Sequence, residues 1–119
     1  MDINIFDDPN KVPQPKDNIR IEDLAATPHN DRHRIHVEVN VTPFRERPNL
    51  LLVLRDANSK VISELNIIET MHADMEFTIH VRGVDDPAGE YMLTAELFYE
   101  TRNPAQDQRS VPVSIPAEA

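Results

Sequence analysis

The sequence lacks cysteine and tryptophan altogether and has only two glycines among its 119 residues. The absence of cysteine excludes disulfides, thiol nucleophiles and cysteine-based zinc sites. Two glycines leave no glycine-rich loop of the kind that cradles phosphates, so we expect no cofactor. The ten prolines must therefore form many of the turns together with Asn and Asp, which favours stiff connections between elements.

Basic residues are scarce as well, because 12 Lys and Arg face 21 Asp and Glu and give a formal net charge of −9. This charge argues against nucleic acid or an anionic membrane as the partner. Residues 32–60 are the exception, since six basic and three acidic residues give them a local charge of +3. Within them, Arg45 and Arg47 occupy a stiff loop between Pro43 and Pro48, and we expect this loop to be a weak ligand-binding candidate.

Long apolar runs are missing too. Residues 1–10 contain three aspartates and no run of seven apolar residues, so we expect no secretory signal there. No segment approaches the length of a membrane span. If Met1 is the native start, we expect a cytoplasmic protein, although a domain excised from a secreted chain would look the same.

Composition divides the chain into an arm and one domain. Residues 1–17 hold three prolines amid charge, which predicts an extended Pro-rich arm that carries Ile3, Ile5 and Phe6. Residues 18–117 contain seven segments that alternate apolar and polar side chains, with turn signals between them. This spacing is typical of an antiparallel β-sandwich or barrel.

The segment Asp86 to Ala95, "DPAGEYMLTA", is similar to the start of strand F in immunoglobulin-like and fibronectin type III-like domains. In those domains a tyrosine hydroxyl at this point ties down the preceding corner, which implies that role for Tyr91. Leu93 stands where antibody domains carry a cysteine, and the third strand candidate has no core tryptophan. The resemblance implies an all-β, seven-stranded antiparallel immunoglobulin-like β-sandwich, with a plain β-barrel as the alternative, and it implies no activity.

One segment breaks the alternation: residues 49–54 read "NLLLVL", so this strand is apolar on both faces. One set of its side chains must enter the core, while the other joins the sixth strand in an outer apolar patch. Such patches often mark interaction sites. We expect a protein partner or a second copy of the chain to bind there, unless the arm or long Lys and Arg stems cover the patch. The sequence does not show whether Leu50, Leu52 and Leu54 or Leu51 and Val53 face the core. The residues assigned to the interface are Leu50, Leu52, Leu54, Met92 and Phe98.

The five histidines raise the question of a metal site. Aligning the second and fifth strand candidates end to end places His36 opposite His80, which makes this pair a weak candidate for zinc or nickel. Arg34 and Arg82 would lie beside the pair and repel a cation. We therefore expect no metal site.

No catalytic constellation can be assembled from the spacing of the serines, histidines and acids. We therefore expect a non-enzymatic protein–protein interaction module that uses the outer face of one sheet and can form a homodimer. The alternative is an accessory domain of a larger enzyme or surface protein, which binds a small molecule, sugar or peptide with its end loops, residues 43–48 and 101–108.

Overall fold

The computed structural model describes residues 12–118 and folds them into seven β-strands. Their bounds are β1 Ile21–Pro28, β2 Arg34–Val41, β3 Asn49–Asp56, β4 Val61–Ile67, β5 Asp74–His80, β6 Gly89–Phe98 and β7 Asp107–Ile115. A three-stranded sheet with the order β1-β2-β5 faces a four-stranded sheet with the order β4-β3-β6-β7, and all pairs are antiparallel. The predicted all-β immunoglobulin-like sandwich is confirmed. No helix in residues 12–118 is long and apolar enough to cross a membrane.

The core lies between the two sheets and follows the period-two pattern of the sequence. On β2, Ile35, Val37, Val39 and Val41 are buried, while the residues between them are exposed or half-buried. β6 contributes inward side chains in the same way, from Tyr91 to Leu97. Pro112 lies on β7, which is an edge strand of its sheet, where a missing backbone donor costs little.

The structure decides which half of the β3 run faces the core, a choice that the sequence left open. Leu50, Leu52 and Leu54 are 1%, 0% and 0% exposed and belong to the core, so their assignment to an outer interface is wrong. Cross-strand pairing explains the direction, because Leu52 lies opposite Leu65 of β4 and Ala95 of β6, which both point inward. Leu51 and Val53 therefore point outward. Five consecutive apolar residues contain no polar residue that could have marked the outer face.

Residues 12–17 of the predicted arm lie along one end of the sandwich. The Gln14 backbone N–H donates to Pro43 O at 2.9 Å, and Gln14 O accepts from the Arg45 N–H at 3.0 Å. The Gln106 side chain donates to Lys16 O at 2.7 Å. This is the end where β3 begins and β6 finishes. The remainder of the arm, including Ile3, Ile5 and Phe6, lies outside the described residues.

The inward direction of Leu52 leads to a stability prediction. Leu52→Ala should lower the free energy of unfolding by about 2–5 kcal/mol, because it leaves a cavity in the core. Met92→Ala should change it by less than about 1 kcal/mol, because Met92 is 43% exposed. Urea unfolding followed by circular dichroism measures both values. Equal losses for the two variants would contradict the inward direction of Leu52.

Candidate functional site

The centre of the outer face of the four-stranded sheet is covered. Leu51 and Val53 are only 4% and 2% exposed, although they point away from the core. Thr94, which lies opposite Val53 on β6, is 6% exposed. Glu96 lies opposite Leu51, and its Oε1 is 3.5 Å from Arg102 Nε. The Glu96 side chain is 16% exposed. These four residues form a strip of low exposure along β3 and β6, which we call the covered strip: Leu51, Val53, Thr94 and Glu96.

One end of the same face carries exposed apolar side chains. Arg55 of β3 pairs with Val61 of β4 and with Met92 of β6, and Met92 pairs with Pro112 of β7. Val61 and Met92 are 42% and 43% exposed. A depression of about 380 Å³ lies beside Arg55 and Met92, at the turn between β3 and β4. We call Val61, Arg55, Met92 and Pro112 the exposed row.

The predicted interface residues include Met92 but not Val61, because the sequence left open whether Ile62 or Val61 faces outward on the fourth strand. A β-bulge between Leu54 and Arg55 shifts the register of β4, so that Val61 rather than Ile62 lies opposite Arg55. Ile62 instead packs against the core. No glycine or proline marks this bulge in the sequence, so the pattern could not decide between Val61 and Ile62. The second outward residue predicted on β6, Phe98, is half-buried at the opposite end of the strand.

Tyr91 forms the corner that the resemblance implied. Its hydroxyl donates to Pro87 O at 2.7 Å, and its side chain is buried beneath the 84–89 connection. Burial raises the pKa of the Tyr91 hydroxyl, and the negative charges of Asp56 and Asp86 add to this effect. The hydroxyl therefore stays protonated and serves as a hydrogen-bond donor rather than as an acid or base.

The loop that carries Arg45 and Arg47 is exposed at the opposite end of the sandwich. Arg47 and Tyr99 line a depression of about 320 Å³ there. The Tyr99 hydroxyl donates to Glu46 O at 3.0 Å, and burial, together with the Glu46 charge, raises its pKa to about 12. Three carboxylates share this depression with one guanidinium, so it repels an anionic ligand. They belong to Glu46, Glu69 and Glu100.

The predicted pairing of His36 with His80 is wrong by two residues. In the sheet, His36 lies opposite Thr78, and His80 lies opposite Arg34. An alternating strand keeps the same residues on each face when it slides by two positions, so the pattern could not distinguish these registers. His36 Nε2 instead lies 3.4 Å from Glu76 Oε1. Between residues 12 and 118, no group of three or more His, Asp or Glu side chains is arranged to hold a metal ion.

No protein-family model and no curated protein matches this chain. Several solved structures match its fold. A Bifidobacterium dentium β-glucuronidase complexed with coumarin-3-O-glucuronide matches 82% of this chain with a TM-score of 0.57 and 18% identity. The chain is an immunoglobulin-like β-sandwich. A glycosyl hydrolase family 2 member from Bacteroides cellulosilyticus and a Lactobacillus rhamnosus β-glucuronidase also match 82% of it, with TM-scores of 0.53 and 0.52 and identities of 10% and 18%.

These similarities show the fold, because the identities are low. They also cover only a small part of each enzyme: 18% of the B. dentium chain, 15% of the B. cellulosilyticus chain and 16% of the L. rhamnosus chain. The sandwich thus spans less than one fifth of the length of each of the three enzymes.

The buried corner bond leads to a prediction for Tyr91. Tyr91→Phe should lower the free energy of unfolding by about 1–3 kcal/mol, because the carbonyl of Pro87 loses its buried donor. Tyr99→Phe is the matched control and should cost less, since its bond to Glu46 O is exposed to water. Urea unfolding measures both. A loss for Tyr91→Phe no larger than that for Tyr99→Phe would show that the corner bond is not a stabilising contact.

Proposed function

We propose that this chain is a non-enzymatic interaction module that contacts another protein surface through the exposed row. The observation that carries the proposal is the pair of large apolar side chains, Val61 and Met92, exposed on either side of Arg55. Met and Arg are enriched at protein interfaces. Met adapts its shape to a partner, and the long stem of Arg55 adds apolar contact area between the two exposed side chains.

The hydrogen bonding of the serines supports a role without catalysis. Ser110 Oγ lies 2.9 Å from Thr94 Oγ1, and the Ser114 hydroxyl donates to Glu90 Oε2 at 2.6 Å. A serine nucleophile needs a base that is itself oriented by a third group. Thr94 is not a base, and Glu90 is exposed to water rather than held in an enclosed site. We therefore assign these bonds to the pairing of β6 with β7.

The comparisons support an accessory role in a larger sugar-processing enzyme. The three solved structures named above are two β-glucuronidases and a glycosyl hydrolase family 2 member, and each match spans most of this chain but a minor part of the other chain. A domain of this kind would pack against its neighbours rather than carry out the reaction. Binding of a sugar by the end loops receives less support, because the depression beside Arg47 is acidic and the Tyr99 hydroxyl is already bonded.

A second copy of the chain is the simplest surface that fits the exposed row. Packing two copies about a two-fold axis would bring both Val61 and both Met92 side chains together, with Pro112 at the margin. The net charge of −9 on each copy opposes this contact, and salt screens that repulsion. Association should therefore strengthen as ionic strength rises.

Molar mass in solution tests the proposal. The 13.6 kDa chain should approach twice that mass as concentration and salt increase. Met92→Glu should remain a monomer under the same conditions, because it places a carboxylate in the apolar contact. Light scattering coupled to size exclusion gives the mass directly.

Ile68→Glu is the matched control. Ile68 is also a large apolar residue, 63% exposed, but it follows β4 at the other end of the sheet. This variant should associate like the parent chain. A parent that stays monomeric at every concentration, or an equal loss of association in both variants, would contradict self-association through the exposed row.

A further inference from the structure

The two flanks of the sandwich, where an edge of one sheet meets an edge of the other, differ from each other. On one flank, hydrogen bonds join β1 to β7: the Ile21 N–H donates to Asp107 Oδ2 at 2.8 Å, and Arg109 Nη1 donates to Glu22 O at 2.7 Å. On the other flank, no backbone hydrogen bond within residues 12–118 joins β4 to β5. The flank between β4 and β5 is therefore the more open of the two.

This open flank leaves part of the core accessible. Inward side chains of its two strands pack against the core and yet are only half-buried: Leu65 and Ile67 of β4, and Met75 and Phe77 of β5. Met71, in the connection between the two strands, is 64% exposed. A depression of about 280 Å³ lies here, and we call it the flank groove. Its apolar lining consists of Ile67, Met71, Met75 and Phe77.

The edge of β5 presents free backbone groups beside the groove. On the side of β2, the Val81 N–H donates to His33 O at 2.8 Å, and Ala73 O accepts from the Val41 N–H at 2.9 Å. Backbone groups of a strand alternate in direction, so those of the even-numbered residues from Asp74 to His80 point to the other side. No strand of residues 12–118 pairs with β5 there. Such a row of N–H and C=O groups is a template for one more strand.

The edge of β5 also lacks the features that commonly prevent strand addition. Bulges and prolines on an edge strand interrupt the pattern that an added strand needs. Register shifts mark a bulge in the pairing of β1 and in that of β4, and β7 contains Pro112. β5 pairs with β2 in unbroken register from Asp74 to His80 and contains no proline. Among the seven described strands, β5 thus offers a regular edge that can accept a partner.

Charge decides which kind of segment fits this edge. From Val61 to Val81 the chain contains four carboxylates and no Lys or Arg. Asp74 and Glu76 lie on the outward face of β5, and the Glu76 side chain is 72% exposed. Two copies of β5 paired edge to edge would bring these carboxylates together, so charge opposes a second copy. A segment with Lys or Arg opposite them would instead form attractive cross-strand pairs.

We propose that the edge of β5 binds an extended segment of another protein in which large apolar residues alternate with Lys or Arg. The segment adds to the three-stranded sheet as a fourth strand and bonds to the outward backbone groups of β5. Because side chains alternate across a strand, its apolar residues enter the flank groove beside Met75 and Phe77. Its basic residues then lie opposite Asp74 and Glu76. The groove lies at the end of β4 away from Val61, so this site is separate from the exposed row.

A blocked seven-residue peptide of alternating Lys and Val is the probe, and amide hydrogen exchange of the full chain followed by NMR is the measurement. In the free chain, the outward amides of Glu76 and Thr78 should exchange fast. With the peptide at about ten times its dissociation constant, their exchange should slow about tenfold. The Phe77 amide points to β2 and should change little. A peptide of alternating Glu and Val is the matched control and should not bind.

Three variants locate the contact. Glu76→Lys should weaken binding of the Lys peptide by about tenfold, because it turns an attractive cross-strand pair into a repulsive one. Glu22→Lys makes the same charge change on β1, the opposite edge of the same sheet, and should leave the affinity within about twofold of the parent value. Thr78→Pro removes an outward donor at an edge position where proline is tolerated. It should weaken binding while circular dichroism shows a folded domain.

Other results would overturn the proposal. Slow exchange of Glu76 and Thr78 in the free chain at every dilution would mean that the edge is already paired within the chain. Slow exchange that is lost on dilution would mean that a second copy occupies the edge. Failure of the Lys peptide to bind at millimolar concentration would mean that the edge accepts no such segment. Equal affinities of the parent, Glu76→Lys and Thr78→Pro would place the peptide elsewhere on the molecule.

Discussion

Burial of β3 on both faces is the constraint on which the rest of the structure depends. Leu50, Leu52 and Leu54 join the core between the sheets, where they are 0–1% exposed. Leu51 and Val53 are 2–4% exposed on the opposite side. A strand that is apolar on both faces stabilises the domain only if both faces are kept from water. The inner face is covered by the three-stranded sheet, and the outer face is closed to water along the covered strip.

Side-chain bonds hold the connections at the ends of this sandwich, where stiff prolines replace most of the glycines. The hydrogen bond from Tyr91 links the 84–89 connection to the core. Arg32 links the same connection to the end of β7: Arg32 Nη2 lies 2.8 Å from Asp86 Oδ1, and Arg32 Nε donates to Pro116 O at 2.9 Å. The Ala88 N–H and the Arg32 guanidinium stabilise the charged form of Asp86 and lower the pKa of its carboxyl. The exposed row therefore lies beside an end of the domain that these side-chain hydrogen bonds stabilise.

The sequence predicted the fold where side chains alternate and missed details where the pattern is symmetric. The alternation of β2 and β6 and the corner at Tyr91 identified the sandwich, because each places apolar residues on a single face. The run Leu50 to Leu54 could not reveal its inward face, since both faces are apolar. The alignment of His36 with His80 failed because a shift of two residues preserves the pattern. The choice between Val61 and Ile62 stayed open because it depends on a bulge.

The most direct test of double-sided burial is the set of nuclear Overhauser contacts made by the methyl groups of β3 in the full chain. Leu52 should show contacts to methyl groups of the three-stranded sheet, whereas Leu51 and Val53 should show none to that sheet and should still be shielded from a paramagnetic probe in the solvent. Contacts from Leu51 or Val53 to the three-stranded sheet, or strong broadening of their methyl signals by the probe, would contradict the account.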